Sequence, residues 1–303
     1  MRGGCRACLP PRWGTRLDSA RLPADWPYRT AARHIRVIPH DWWVIDTGPR
    51  DGPVVLLLHG AGGSGHSFRG LIPLLSDRYR VIVPDLPGQG CTRAGGMRRL
   101  GLDAMAEDLT RLCLTAGFAP QAVIGHSAGA AIALRMADLM PLKAIVGINA
   151  ALGTFDGAAG VMFPLMARAL AATPFVGSAV AKLWGNPASV GKLLSGTGSP
   201  LDAAGQAQYL TLVRDAAHVN GTLGMMSQWR LDGLMARLPS LTEPVLLIAS
   251  DRDNAVPPKV SRDAVAHMPS ATYAEIAGFG HLVHEEAADQ VAAVLLTWLA
   301  QRV

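Results

Sequence analysis

The feature that most constrains the fold is a five-residue motif, G-H-S-A-G at residues 125–129, which follows an apolar run at Ala122 to Ile124 and opens a segment of helical periodicity. A G-x-S-x-G motif between a strand and a helix places its serine on a strained turn, with the hydroxyl exposed above a sheet. The flanking glycines let strand and helix approach closely. The motif therefore predicts a strand-turn-helix unit with Ser127 as a nucleophile.

The rest of the chain has the organisation that such a unit needs. From about Arg33, short β-branched runs bounded by turn residues alternate with longer segments of helical periodicity, which favours an α/β fold with a parallel sheet and crossover helices. We predict an eight-stranded, mostly parallel sheet with helices on both faces. The predicted strands are His34 to Ile38, Trp42 to Asp46, Val54 to Leu58, Arg80 to Pro84, Ala122 to Ile124, Ala144 to Ile148, Val245 to Ala249 and Thr272 to Ile276. The predicted core helices are Ser67 to Leu75, Leu102 to Ala116, Ala128 to Met140, Pro258 to His267 and Leu282 to Gln301.

One connection, from Ile148 to Val245, is several times longer than a usual crossover. We predict that residues 151–238 form a helical lid after strand 6, inserted between core segments 25–150 and 239–303. Its segments with helical spacing are Val161 to Ala172, Val176 to Leu183, Ala188 to Leu194, Gly205 to Ala217 and Leu223 to Leu238. Its many methionines and aromatic residues suit either a large flat hydrophobic ligand or packing between helices.

The positive charge lies near the N-terminus. The chain carries +5 overall, but its first 40 residues hold eight arginines and two aspartates, which leaves −1 for the remainder. This distribution does not support a basic nucleic-acid-binding face. We predict that residues 1–24 form a disordered basic leader, with docking to a partner or an anionic membrane as the alternative. Cys5 and Cys8 form a C-x-x-C in this leader, without the strand and helix of a redox motif.

No apolar stretch reaches the ~20 residues of a membrane-spanning helix. We therefore expect no membrane span and a cytoplasmic protein, with a position peripheral to the membrane as the alternative.

A serine hydroxyl needs a histidine base oriented by a carboxylate, which follow in the chain order Ser, Asp, His in this type of fold. The predicted strand at Val245 is followed by S-D-R-D-N-A-V-P at residues 250–257, and the last strand by G-F-G-H at residues 278–281. We predict His281 as the base and Asp253 as the acid, with Asp251 as the alternative that more naturally caps the loop.

His284 competes with His281 for the role of base. It lies one helical turn further on, beside Glu285 and Glu286, which suggest a solvated helix start. We therefore expect His284 on the surface. The two histidines do not match a zinc motif, and no third ligand is evident, so no metal is predicted.

Charge on the attacked carbonyl oxygen requires preorganised donors, which this type of fold supplies as backbone N–H groups. We predict Ala128, after the serine, and Ala61, in the H-G-A-G-G loop at residues 59–63, as the oxyanion hole. The loop matches neither G-x-G-x-x-G nor a P-loop. ATP hydrolysis is therefore disfavoured and no cofactor is predicted.

Several of these segments together resemble the α/β-hydrolase superfamily over residues 33–303. The matching residues are His59-Gly60, D-L-P-G-Q-G at 85–90, the motif at 125–129, Asp253 and Gly280-His281. Within it, the chain resembles the magnesium-chelatase accessory proteins, small hydrolase-like subunits encoded with bacteriochlorophyll biosynthesis enzymes in phototrophic bacteria. That resemblance is carried by D-W-P at 25–27, G-H-S-A-G-A-A at 125–131, G-I-N-A-A-L at 147–152, L-S-G-T-G-S at 194–199 and G-H-L-V-H-E-E at 280–286. One departure is Cys91, where superfamily members often carry an aromatic residue.

The resemblance implies an accessory role in bacteriochlorophyll biosynthesis, and so in photosynthesis, at or near magnesium insertion into protoporphyrin IX. The implied partners are a tetrapyrrole or other hydrophobic small molecule and the magnesium chelatase subunits. Three readings remain open: a serine hydrolase of the tetrapyrrole pathway, a non-catalytic porphyrin- or chelatase-binding accessory with a relict triad, and a generic carboxylesterase. Serine at position 127 removes the dehalogenase and epoxide hydrolase chemistries, which need aspartate there.

Overall fold

The computed structural model describes residues 17–153, 173 and 175–303. Its centre is an eight-stranded sheet with the order β1-β2-β4-β3-β5-β6-β7-β8. The strands are β1 (Ala32–Val37), β2 (His40–Thr47), β3 (Val54–Leu58), β4 (Arg80–Pro84), β5 (Pro120–His126), β6 (Ala144–Ile148), β7 (Val245–Ser250) and β8 (Ala271–Ile276). Strand β2 pairs antiparallel with β1 and β4, and all other pairs are parallel. The predicted sheet and every predicted strand are confirmed.

Helices flank this sheet and fill the connection between β6 and β7. They are α1 (Leu71–Leu75), α2 (Leu102–Ala116), α3 (Ala128–Met136), α4 (Val176–Trp184), α5 (Pro187–Gly196), α6 (Ala203–Val213), α7 (Ala216–Gln228), α8 (Asp232–Arg237), α9 (Pro258–Ala266), α10 (Val283–Glu286) and α11 (Ala288–Leu299). The predicted helix from Leu282 to Gln301 is two helices, because the backbone of Ala287 is not helical.

The core lies on both faces of the sheet. Successive side chains of a strand point to opposite faces, and β3 shows this directly. Leu56 and Leu58 join a buried cluster with residues of α2 and α3, whereas Val55 and Leu57 join another with residues of α1 and α11. Burial on both faces explains why the central parallel strands β3, β6 and β7 are continuous apolar runs.

Helices α4 to α8 lie between β6 and β7, within the region predicted as a lid. The predicted helix from Leu223 to Leu238 is interrupted, because the backbone of Trp229 is extended. The predicted helix from Val161 to Ala172 lies outside the described residues. Met225 of α7 is buried in the core cluster that contains Leu100, whereas Phe175 and Trp184 are exposed. Met225 therefore belongs to the core, and covering of the site by this insertion stays a prediction.

Part of the predicted leader packs against the domain. Leu17 and Leu22 retain only 9% and 3% of their exposure, and they form a cluster with Trp26, Trp43, Cys91 and Leu212. The boundary predicted at residue 24 was therefore wrong, since residues 17–24 include side chains of the core. Residues 1–16 lie outside the described residues, so disorder there stays a prediction.

Candidate active site

Ser127 occupies the sharp turn between β5 and α3. Its φ of 53° and ψ of −116° lie outside the regions that non-glycine residues prefer. A Cβ atom on Gly125 would lie 2.2 Å from the carbonyl carbon of Gly129, and one on Gly129 would lie 2.1 Å from the carbonyl oxygen of Leu58. Both neighbours must therefore be glycine, and the strand-turn-helix unit predicted from the motif is present.

Asp253 and His281 are brought together from the loops after β7 and β8. Nδ1 of His281 lies 2.7 Å from Oδ2 of Asp253, and both residues are buried. The other carboxylate oxygen of Asp253 accepts the N–H groups of Ala255 and Val256, each at 2.7 Å. Because Nδ1 donates to the carboxylate, Nε2 of His281 is left as the basic nitrogen.

Asp251, the alternative acid, lies elsewhere in its loop. Its Oδ1 accepts the N–H of Gly278 at 2.6 Å, so it links the loops after β7 and β8 as a cap. Its side chain is exposed to solvent, unlike that of Asp253. Asp253 is therefore the carboxylate that orients His281.

His284 is not on the surface, which corrects the expectation from its acidic neighbours. Its side chain is fully buried, with ring centroids 4.2 Å from His126 and 5.2 Å from Phe68. Burial lowers the pKa of His284 to about 3, and neither ring nitrogen has a hydrogen-bond partner within the described part of the chain. His284 is therefore a neutral core residue.

The side chain of Glu285 is also buried, because distant segments cover it. Its carboxylate accepts the hydroxyl of Tyr209 at 2.8 Å and pairs with Arg69, and burial raises the pKa of Glu285 to about 7. The expected solvated helix start at α10 is therefore a packed junction between the core and α6.

The loop after β3 holds the peptide between Gly60 and Ala61 in one orientation. The carbonyl oxygen of Gly60 accepts Nδ1–H of His59 at 2.8 Å and the N–H of Gly63 at 3.1 Å. His59 can donate from Nδ1 because its Nε2 accepts the N–H of Leu86 at 2.8 Å, and burial lowers its pKa to about 4. Since a trans peptide is planar, fixing this carbonyl turns the N–H of Ala61 to the opposite side.

This loop also lies beside the serine. A Cβ atom on Gly60 would lie 3.0 Å from Cβ of Ser127. Ala128 is the first residue of α3, so its N–H has no partner within the helix. Ala128 therefore follows Ser127 with an N–H group outside helical hydrogen bonding, and Gly60, the residue before Ala61, approaches Ser127 closely.

Sequence reasoning missed Asn149, which follows β6. Its side-chain Nδ2 donates to the carbonyls of His281 at 2.8 Å and Gly280 at 3.2 Å, and its Oδ1 accepts the N–H of Ser250 at 2.9 Å. His126 lies with Nε2 3.0 Å from the same carbonyl of His281. The signal available in the sequence was an asparagine directly after an apolar strand.

Helix α7 is attached to the loop that carries Ala61. Nε2 of His218 lies 3.2 Å from the carbonyl oxygen of Gly62, and its Nδ1 accepts the N–H of Gly90 at 3.0 Å. A Cβ atom on Gly221 would lie 1.9 Å from the carbonyl oxygen of Gly88. The region between β6 and β7 therefore contacts the candidate site through backbone groups.

The described residues contain neither a candidate metal cluster nor a helix that could span a membrane. No group of three or more histidine, cysteine, aspartate or glutamate residues there could hold a metal ion. Within the same residues, no helix has the length and apolar character needed to cross a membrane.

The fold and this site together define the class of protein. The family model described as alpha/beta hydrolase fold matches residues 53–288, so the chain belongs to the α/β-hydrolase family. It is 56% identical over 283 residues to the magnesium-chelatase 30 kDa subunit of Rhodobacter capsulatus, which covers 93% of this chain and 99% of that protein. Both levels of the resemblance found in the sequence are thereby confirmed.

Solved structures with the same fold are more distant in sequence. An alpha/beta hydrolase fold protein from Burkholderia ambifaria superposes with a TM-score of 0.74 at 20% identity, covering 88% of this chain and 97% of that one. A bromoperoxidase from Bacillus anthracis gives a TM-score of 0.74 at 19% identity, covering 89% and 99%. At these identities the similarity concerns the fold alone.

Proposed function

We propose that this protein is a cytoplasmic serine hydrolase that acts as an accessory of magnesium chelatase in bacteriochlorophyll biosynthesis. The observation that carries the hydrolase part is the buried contact of His281 with Asp253, in a chain that also holds Ser127 on a strained turn. The chelatase part is supported by the 56% identity to a protein named as a magnesium-chelatase subunit. The substrate class that we propose is an ester or amide of a tetrapyrrole or another hydrophobic molecule.

The proposed chemistry is acyl transfer to Ser127. Nε2 of His281 takes the hydroxyl proton while Oγ attacks the substrate carbonyl, and the carboxylate of Asp253 stabilises the imidazolium that forms. The N–H groups of Ala61 and Ala128 donate to the oxygen that becomes negative. The imidazolium then protonates the leaving group, and water activated by His281 releases the acyl group.

A fluorophosphonate probe tests the first step. We expect labelling at Ser127 in the wild type and none in Ser127→Ala. Asp253→Asn should slow labelling by a factor on the order of 10⁴, since the imidazole is then held in the wrong tautomer. Asp251→Asn is the matched control and should label at the wild-type rate. Absence of labelling in folded wild-type protein would favour the non-catalytic accessory with a relict triad.

Binding and turnover of a set of ligands distinguish a role in tetrapyrrole metabolism from that of a generic carboxylesterase. We expect magnesium-protoporphyrin and its methyl ester to bind to wild type and to Ser127→Ala, and to quench tryptophan fluorescence. Trp184, which is 59% exposed between β6 and β7, is one reporter. Rapid turnover of short aryl esters with no porphyrin binding would contradict the tetrapyrrole hypothesis and favour a generic carboxylesterase.

A further inference from the structure

Residues 197–199 join α5 to α6 and touch both loops that carry the proposed acid and base. The carbonyl oxygen of Thr197 accepts two N–H groups, from Asn254 and from His281, each at 3.2 Å. Asn254 follows the acid Asp253 directly in the chain. One carbonyl of the inserted region therefore joins the acid loop to the base loop.

The middle residue of this segment packs directly against both loops. Gly198 has a φ of +88°, and a Cβ atom on it would lie 2.2 Å from the carbonyl oxygen of Arg252. A Cβ atom on Gly280 would in turn lie 2.2 Å from the carbonyl carbon of Gly198. The two glycines thus let three backbones meet where any side chain would separate them.

Ser199 completes the contact through its side chain, which is fully buried. Its Oγ accepts the N–H of Leu282 at 2.8 Å and donates to Oε2 of Glu286 at 2.5 Å. The same carboxylate oxygen accepts the N–H of Gly280 at 3.1 Å. Together with Thr197, this arrangement binds the N–H groups of three successive residues centred on His281.

We infer that residues 197–199 are a strap that positions the proposed acid and base, with Ser199 as a positioning residue. This inference rests on the proposed function, and it extends the site into the region between β6 and β7. Asn149 and His126 hold the carbonyl of His281, and the strap holds its N–H. The imidazole of His281 is thereby fixed relative to Asp253 from two sides.

The test compares Ser199→Ala with Ser195→Ala, a matched serine at the exposed end of α5. We expect Ser199→Ala to lower the second-order rate constant of fluorophosphonate labelling by about tenfold to 100-fold, the size of effect that a small misplacement of a catalytic group produces. The pH profile of labelling should also change, because the proposed base is no longer held in place against Asp253. Ser195→Ala should match the wild type in both respects.

Two results separate the strap from the proposed function. If the wild type does not label, the proposed function is wrong. If the wild type labels and Ser199→Ala labels with the same rate and pH profile, the strap is wrong while the function stands. Glu286→Gln is the second variant, should Ser199→Ala not fold; it weakens the same contacts, and we expect a smaller change in the same direction.

Discussion

Asn149 combines an uncommon backbone conformation with a fully paired side chain. Its φ of +46° lies in the left-handed region, which asparagine tolerates better than most residues. From there its amide reaches Ser250 and the carbonyls of Gly280 and His281. One side chain after β6 therefore joins the ends of β6 and β7 to the loop that carries the proposed base.

We predict that Asn149→Ala destabilises the protein by about 1–3 kcal/mol, because buried carbonyl groups lose their donor. It should also slow probe labelling at Ser127. Asn149→Gly is the control, since glycine adopts the same φ without strain. Urea unfolding of both variants separates the contribution of the side-chain hydrogen bonds from that of the backbone conformation. Equal stability of Asn149→Gly and wild type would mean that the amide contributes nothing.

The sequence predicted some residues of the site and not others, for a physical reason. Asp253 follows a strand whose apolar run is evident, and His281 follows the G-F-G loop after the last predicted strand, so their shared edge of the sheet could be inferred. His284 packs against Phe68 and His126, and Glu285 is covered by Arg69 and Tyr209, all of which are distant in the chain. A local pattern of charge does not contain such contacts, and the predicted exposure was wrong.

At the scale of elements, residues 17–24 change what is expected of an N-terminal truncation. Burying a leucine side chain contributes about 1.5–3 kcal/mol, and Leu17 and Leu22 are both buried. A chain that begins at Asp25 should therefore have a melting temperature several degrees below the full chain. A chain that begins at Leu17 is the control and should keep most of the stability. Identical thermal unfolding of all three would contradict the observed packing.

Strands were easier to predict than helix ends. A strand buried on both faces is a continuous apolar run, whereas the end of a helix depends on single capping residues. The predicted helix from Gly205 to Ala217 is interrupted after Val213, because the carboxylate of Asp215 accepts the N–H of His218 and begins α7. Asp215 is visible in the sequence, but hydrophobic periodicity alone predicts one continuous helix across it.

Across the whole molecule, buried histidines dominate the expected response to acid. Burial lowers the pKa of His59 and His218 to about 4 and that of His284 to about 3. Burial also lowers the pKa values of His66 and His126 well below the usual range. The unfolded chain, with histidines near a pKa of about 6.5, binds more protons between the two values. These groups therefore stabilise the fold at neutral pH and lose that contribution as pH falls through about 6 to 4.

Two buried carboxyls act in the opposite direction. Burial raises the pKa values of Asp85 and Glu285 to about 7, so the folded state holds their protons at a pH where the unfolded state has released them. Their contribution to stability is present at acidic pH and falls as pH rises toward about 7.

Because five such histidines outnumber two such carboxyls, we predict that the free energy of unfolding decreases from pH 7 to pH 5. Each proton that the unfolded state binds in excess of the folded state changes the free energy of unfolding by about 1.4 kcal/mol per pH unit. Urea unfolding across this range is the measurement. His284→Leu should reduce the slope, because it removes one of these five histidines. A protein that becomes more stable at pH 5 would show that the carboxyls dominate.

The backbone contact of Gly198 with Arg252 and Gly280 affects how this protein can be recombined with its relatives. A region inserted between β6 and β7 could be exchanged as a unit between two hydrolases, in order to transfer ligand preference from one to the other. Here a cassette cut at the ends of β6 and β7 would carry residues 197–199 away with it. In such a chimera, residues 197–199 would come from one protein and the acid and base loops from another, so their close backbone contacts would not be matched. Crossover points that leave residues 197–199 with their native loops should preserve a working scaffold.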